Sequence, residues 1–275
     1  MYSTDRLNED IDALVAQGAQ AFTLGYSFLG REIRGVFKGS PDGAQILMQG
    51  AMHAREWATA QLCVELFARY SGSVGVWCIP MTNPDGAMLA QFGLDSVSDP
   101  SVRDRLYAIN GYSDDFSLWK ANCNAVDLNV NFNALWGTGV NNVFVPAPSD
   151  YVGEYPFSEI ETRDLALFTC KIMPECTVSM HARGEVIYKG FGCRDPEPEL
   201  AARVAESCGY PLLRSEGSAG GYKDWFVATA AKLGLTVEVG SSSTPYPELQ
   251  DGMDALIART ENILPILAAH YGGQI

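Results

Sequence analysis

The chain has 275 residues, and 19 Lys and Arg against 33 Asp and Glu leave a net charge of −14. Hydrophobic residues make up 47% and charged residues 19%, which excludes a disordered chain and suits one large α/β domain spanning residues 1–275. The acidic excess argues against nucleic-acid binding and against adsorption to an anionic membrane, and no apolar run approaches the roughly 20 residues of a membrane helix.

In chain order, Thr4 to Gln17 carries Leu7, Ile11, Leu14 and Val15 at helical spacing. Phe22 to Phe28 and Glu32 to Lys38 form a hairpin turning at Leu29-Gly30-Arg31. Gln45 to His53 reads as a buried strand that runs into a helix, Glu56 to Tyr70, and Val74 to Thr82 as another strand closed by the turn Asn83-Pro84-Asp85-Gly86. Leu94 to Asn142 is irregular and rich in Asn, Asp and Gly, the composition of a functional surface loop. Ser158 to Lys171 returns to helical period, with Ser158 and Glu161 spaced as a capping box. A strand at Cys176 to His181, a helix at Pro198 to Ser207 and a strand near Pro211 follow. A helix at Tyr222 to Lys232, a strand at Leu235 to Val239 and a helix at Asp251 to His270, disturbed at Pro265, complete the chain. Alternating strands and helices imply a mixed, mostly parallel sheet with helices on both faces, and no linker or repeat divides it.

The polar, acidic N-terminus (Asp5, Glu9, Asp10, Asp12) is no secretory signal in this form. Seven cysteines form no C-x-x-C pair, and most stand in apolar stretches, such as those at Cys63 and Cys78, as buried reduced thiols do. The expectation is a cytoplasmic protein, with export open if a leader has been removed. Oligomeric state is not legible.

Sites in such sheets lie beyond the carboxyl ends of the strands, which directs attention to His53, Asn83, His181 and Glu238. A single histidine is most often a structural hydrogen-bonding group. Two at strand ends together with Glu56 make a three-ligand set suited to a catalytic zinc with its fourth position open to water. The spacing H-x-x-E is weak by itself, and H-E-x-x-H is absent, as are the G-x-S-x-G elbow and the phosphate loops. His270, near a helix end, reads as structural. Glu238, between Val237 and Val239 in an apolar strand, is costly there without a purpose.

Seven pieces stand in a recognisable order: Gly50-Ala51-Met52-His53-Ala54-Arg55-Glu56-Trp57, Thr82-Asn83-Pro84-Asp85-Gly86, Val126-Asp127-Leu128-Asn129, Pro156-Phe157-Ser158-Glu159, Ser179-Met180-His181, Gly220-Gly221-Tyr222-Lys223-Asp224-Trp225 and Thr236-Val237-Glu238-Val239-Gly240. In these the chain resembles the zinc carboxypeptidases of the carboxypeptidase A type. The resemblance implies one Zn2+ per chain on His53, Glu56 and His181, with Glu238 as catalytic carboxylate. It implies Asp127 bonded to the first zinc histidine, where a carboxylate fixes the tautomer and raises ligand basicity. The family's oxyanion arginine follows a tryptophan; here Trp119 is followed by Lys120, which supplies charge without the bidentate fork.

Two positions depart from that family. Its Asn-Arg carboxylate clamp reads Asn129-Val130, and its tyrosine upstream of Asp224-Trp225 falls on Glu216. Valine makes no charge-assisted hydrogen bond, so ordinary C-terminal recognition is weakened while the zinc chemistry is untouched. Asp127-Leu128-Asn129-Val130-Asn131-Phe132 and His181-Ala182-Arg183-Gly184-Glu185-Val186-Ile187-Tyr188 resemble a narrower branch, the bacterial γ-D-glutamyl-L-diamino acid peptidases. That resemblance implies hydrolysis of the bond between γ-D-glutamate and a diamino acid such as meso-diaminopimelate in murein peptides. Arg55, Asn129 and Arg183 are then candidate substrate-carboxylate contacts, and Glu216 a partner for the diamino acid's ammonium. Lys223 reads as a surface residue at a helix start. The alternatives are a metallocarboxypeptidase acting on ordinary peptides and an inactive murein-peptide binding protein; a mere binder has no need of Glu238.

Overall fold

Period-two alternation in the strands decides where the two faces of the sheet go. In a computed structural model describing residues 1–243 and 252–273, the chain begins with α1 (Thr4–Ala16), the hairpin β1 (Gln20–Tyr26) and β2 (Glu32–Lys38), then β3 (Gln45–Gln49), α2 (Ala58–Arg69) and β4 (Gly75–Ile79). It continues through α3 (Pro84–Phe92), α4 (Pro100–Ile109), α5 (Ile160–Ile172), β5 (Cys176–Ala182), β6 (Val186–Lys189), α6 (Pro198–Cys208), β7 (Leu212–Arg214), α7 (Tyr222–Ala230) and β8 (Leu233–Val239). It closes with α8 (Gly252–Thr260) and α9 (Ile263–Gly272). The strands form one sheet in the order β1-β2-β4-β3-β5-β8-β6-β7. Its centre, β4-β3-β5-β8, is parallel, with antiparallel pairings at β1-β2, β2-β4 and β6-β8. The expected mixed, mostly parallel sheet is what forms.

Alternate residues of the central strands enter different cores. Ile46 and Met48 of β3, Val178 and Met180 of β5, and Leu235 and Val237 of β8 pack with α1, α2, α6, α8 and α9. Leu47 of β3 faces the other way, into a cluster with Leu165 of α5 and Tyr222, Trp225 and Phe226 of α7. A third cluster (Leu89, Leu106, Phe116, Trp119, Cys123) supports the long loop after α4. Thr177, Ser179 and His181 of β5 and Thr236 and Glu238 of β8 occupy the alternation opposite the first core. They therefore share the α7 side of the sheet. Among the described residues no helix is long and apolar enough to cross a membrane.

Several boundaries differ from the sequence expectation for identifiable reasons. The strand expected to reach His53 ends at Gln49, because Ala51 adopts a left-handed φ of 46°. Gly50 is required at that turn: a Cβ there would stand 2.8 Å from Cys63 Sγ and 2.9 Å from the Thr59 carbonyl. Asn83-Pro84 is no free turn but the start of α3, with Asn83 Oδ1 accepting from Gly86 N and Pro84 at the helix's first position. The irregular stretch conceals α4, capped the same way by Asp99 ahead of Pro100. β6 was not expected. The last helix is two helices, and Pro265 sits in the first turn of α9, where its missing N–H costs nothing. Asp251, the expected start, lies outside the described residues. All seven cysteines are free; five are buried, while Cys170 and Cys193 are exposed.

Nor is there a capping box at Ser158 and Glu161. Glu159 is the N-cap residue of α5, and the Ser158 hydroxyl donates to Glu159 Oε1. Glu161, fully buried, accepts from Phe28 N (3.2 Å) and from Asn122 Nδ2 (3.4 Å). Burial, reinforced by the charges of Glu159 and Asp85, pushes the Glu161 carboxyl up from 4.5 to about 7. A folded-state pKa above the unfolded one gives stability that is complete below the unfolded value and lost as pH rises through the folded one. The stability of the wild type relative to Glu161→Gln should therefore fall between about pH 4.5 and pH 7, by on the order of 3 kcal/mol. Urea unfolding of both proteins across that range measures it, and a difference that stays flat with pH would mean that Glu161 is buried as the carboxylate.

Candidate metal and active site

His53 and Glu56 meet because the chain leaves β3 through a 3-10 turn. Residues Ala54–Glu56 form that turn with His53 as its N-cap, and three residues per turn bring positions i and i+3 onto one side. Backbone bonds from Ala54 N to Lys120 O (3.0 Å) and from Arg55 N to Trp119 O (2.9 Å) clamp the turn to the long loop. His53 Nδ1 then lies 2.8 Å from Glu56 Oε1. His181, at the end of β5, brings its Nδ1 within 3.0 Å of Glu56 Oε2 and 3.1 Å of His53 Nδ1. Among the described residues these three are the one group of His, Cys, Asp and Glu side chains whose donor atoms all lie within 4.8 Å of one another, and all three are buried.

The donor set fits a zinc ion. Ligands at about 2.0–2.1 Å around a tetrahedral zinc stand about 3.4 Å from each other, close to the spacing of these atoms. Both imidazoles converge through Nδ1, and the far nitrogen of His53, Nε2, is 3.3 Å from Asp127 Oδ1. The electrostatics draw positive charge to the same point. Burial alone would lower the His53 pKa, but the charges of Glu56 and Asp127 lift it to about 9. Burial would raise Glu56, yet His53 and His181 hold it well below the usual carboxylate range. His181, with burial dominant, is lowered and presents a neutral ring. Two carboxylates that keep a proton on the imidazole between them would hold a divalent cation in its place.

Glu238 is brought in by strand register. In the parallel pairing of β5 and β8, His181 and Glu238 are Cα partners, so both side chains leave the same face at the same level. Glu238 is half-buried at the edge of a cavity of ≈ 260 Å³. Burial, and then the charge of Glu56, raise it to about 8, while His53, Lys120 and Arg55 work in the other direction. A divalent ion among the neighbouring donors would lower it into its ionised form.

Asp127 is fully buried and fully engaged. Oδ1 accepts from Asn129 N (3.0 Å), and Oδ2 accepts from Asp150 N (3.1 Å) and from Lys120 Nζ (2.8 Å). Lys120, the expected oxyanion cation, is thus held by Asp127 and, at 3.3 Å, by Asp150. Burial opposes its charge, but those two carboxylates outweigh it and raise its pKa. Asn129 Oδ1 accepts from Tyr222 N (3.0 Å), tying the loop to the start of α7, and Val130 lines the cleft where the family's arginine would stand. Arg55 is half-buried, with Nη1 donating to Leu118 O at 3.4 Å, and its charge is felt by Glu238. Arg183 is half-buried just beyond β5, and Glu216 is exposed at the mouth shared by the cavities beside Glu238 and Lys120. His270 is far in role from all of this, paired with Glu197 at 2.9 Å.

Lys223 corrects the sequence reading. It is no surface residue but 5% exposed, with Nζ donating to Gly190 O (2.6 Å) and to Asp224 Oδ1 (2.5 Å). A cation in the first turn of α7 opposes the helix dipole and stands among Tyr222, Trp225 and Phe226, which was the available signal.

The zinc carboxypeptidase family model matches residues 7–265. Gamma-D-glutamyl-L-diamino acid endopeptidase 1 of Lysinibacillus sphaericus is 33% identical over 250 residues, 83% of this chain and 62% of that protein. This chain therefore spans under two thirds of that relative's length. The carboxypeptidase A structure from Helicoverpa armigera aligns with a TM-score of 0.77 over 99% of this chain and 73% of its own, at 17% identity. The murein-tripeptide amidase MpaA of Escherichia coli O157 aligns with a TM-score of 0.59 over 89% of this chain and 91% of its own, at 22% identity. Both likenesses concern the fold. With the family's motifs in order and its His-Glu-His cluster assembled at the carboxyl ends of the strands, the chain belongs to the zinc carboxypeptidase family.

Proposed function

We propose that this protein is a zinc metallopeptidase that hydrolyses the amide bond between γ-D-glutamate and a diamino acid, such as meso-diaminopimelate, in murein peptides. The observation that carries the reading is the juxtaposition of His53, Glu56 and His181 with Glu238, the direct register partner of His181, in a cleft where Val130 stands in place of the family's carboxylate-binding arginine. The named activity of the 33% identical Lysinibacillus protein supports the choice of substrate. Seven free cysteines support a reducing compartment such as the cytoplasm.

His53, Glu56 and His181 would hold one zinc ion per chain. When bound, zinc supplies a Lewis acid that acidifies water and polarises a carbonyl. Glu238 takes the proton of the attacking water and carries it to the leaving nitrogen, which a carboxylate beside the scissile bond can do in two short transfers. Asp127 keeps the proton of His53 on Nε2, so that Nδ1 offers its lone pair to the metal. Lys120, whose charge reaches both Glu56 and Glu238, supplies positive potential for the oxyanion, with Arg55 as a second source. Asn129 contacts a carboxylate of the leaving residue, Arg183 a carboxylate on the glutamyl side, and Glu216 the free ammonium of the diamino acid.

Three outcomes follow. Glu238→Gln should retain stoichiometric zinc and lose about 100-fold or more in kcat; turnover within tenfold of the wild type would show that another group is the base. His181→Ala should purify without its zinc when measured by elemental analysis, and an unchanged metal content would remove His181 from the ligand set. L-Ala-γ-D-Glu-meso-diaminopimelate should be cleaved much faster than an ordinary peptide ending in phenylalanine, followed by mass spectrometry. The opposite preference would indicate a metallocarboxypeptidase of the ordinary kind.

A further inference from the structure

Besides the stripe that packs into the core, α5 carries a second one. Asp164, Leu167, Phe168, Lys171 and Ile172 recur at i, i+3, i+4, i+7 and i+8, on a face apart from the buried Leu165 and Thr169. All of them line a cavity of ≈ 640 Å³ floored by Phe22 of β1 and Trp77 of β4. The rings there are already ordered: Phe168 stacks on Phe22 at 4.9 Å and meets Trp77 edge-on at 5.3 Å. Leu167 nevertheless stands 69% exposed at the rim. A helix face that meets only water has no use for this run of Leu, Phe and Ile.

The charges on the stripe are as unsatisfied as its apolar groups. Asp164 leans over β1 at Gly25, where a Cβ would collide with its Oδ2. It makes no hydrogen bond or ion pair with any described residue. Burial raises its pKa, with the charge of Arg163 opposing. Lys171, exposed two turns further on, is equally without a partner among the described residues. Seven residues of helix put the two roughly 10 Å apart along its axis, and they do not meet.

The spacing of these groups selects the occupant. Positions 164 and 171 share a midpoint with positions 167 and 168. A second α5, running antiparallel about a two-fold axis through that midpoint, sets Asp164 against the partner's Lys171 and Lys171 against the partner's Asp164. The same operation seats Leu167 on the partner's Phe168, and Phe168 under the partner's Leu167. A parallel copy would oppose like charges, and a small apolar ligand would leave both charges unanswered. Closed two-fold pairing requires a surface complementary to itself, and this stripe is one. Burial of Leu167, Phe168 and Ile172 supplies the affinity, while the ion pairs at the rim fix direction and register.

We propose that this face of α5 is a homodimer interface, in which two copies of the chain pair their α5 helices antiparallel about a two-fold axis between Leu167 and Phe168. The stripe leads to the amino end of β5, whereas the metal site lies beyond its carboxyl end, so pairing leaves both clefts open.

Sedimentation velocity on the holoenzyme, from nanomolar to submillimolar concentration, should show a reversible monomer–dimer equilibrium. Asp164→Lys and Lys171→Asp should each raise the dimer dissociation constant about 100-fold or more, because like charges then face each other across the axis. The double variant Asp164→Lys/Lys171→Asp should dimerise as the wild type does, and an equimolar mixture of the two single variants should form a heterodimer. Near-UV circular dichroism identical to that of the wild type checks that each variant is folded. A wild type that is monomeric throughout the range overturns the proposal and leaves the cavity to another occupant. A dimer that persists unweakened in both single variants also overturns it, since the contact then lies elsewhere. So does a mixture of folded single variants that remains monomeric.

Discussion

In-register pairing of two parallel strands is the constraint on which the cleft depends. Because β5 and β8 align His181 with Glu238, a buried imidazole and a half-buried carboxylate emerge side by side from one sheet face at the edge of a cavity. A slip of one residue would turn Glu238 into the apolar core that holds Val237 and Val239. Seven residues of continuous pairing between the strands hold that register.

Burying charge has a cost that this site meets by concentrating opposite charge. Glu56 and Asp127 are nearly inaccessible, and both remain well below the ordinary carboxylate range because His53, His181 and Lys120 surround them. Glu238 lacks so close a cation and moves the other way. Carboxylates of the same chemistry therefore divide into ligand, orienting partner and base by their surroundings. Asp127 joins the two halves of the arrangement, touching the first histidine with one oxygen and Lys120 with the other. Through Asn129 the same loop is tied to α7, so the metal centre and the wall bearing Lys223 share one framework.

Much of this was legible along the chain. The H-x-x-E spacing works because a 3-10 turn superposes its ends, and the alternation Val237-Glu238-Val239 already marks an acid facing away from the core. Local signals misled where a distant partner had the stronger claim. Ser158 and Glu161 have the spacing of a capping box, yet Asn122 and Phe28, far off in sequence, take Glu161 inward. Asn83-Pro84-Asp85-Gly86 has the composition of a turn, but its Asn and Pro serve equally as an N-cap and a first helical residue, and the apolar run behind them makes the helix.

The order and kinds of the donor groups, the parallel character of the sheet and the absent arginine at Val130 were determined by the sequence alone, since each depends on residue type and short-range period. The tertiary structure alone decided that Lys120 is bound by Asp127 and Asp150, that Glu161 is buried beside other acids, and that Lys223 lines a cavity. The reason is that desolvation and charge pairing are set by whatever packs around a group. For these three residues the neighbours that matter most come from other parts of the fold, and a linear pattern does not contain them.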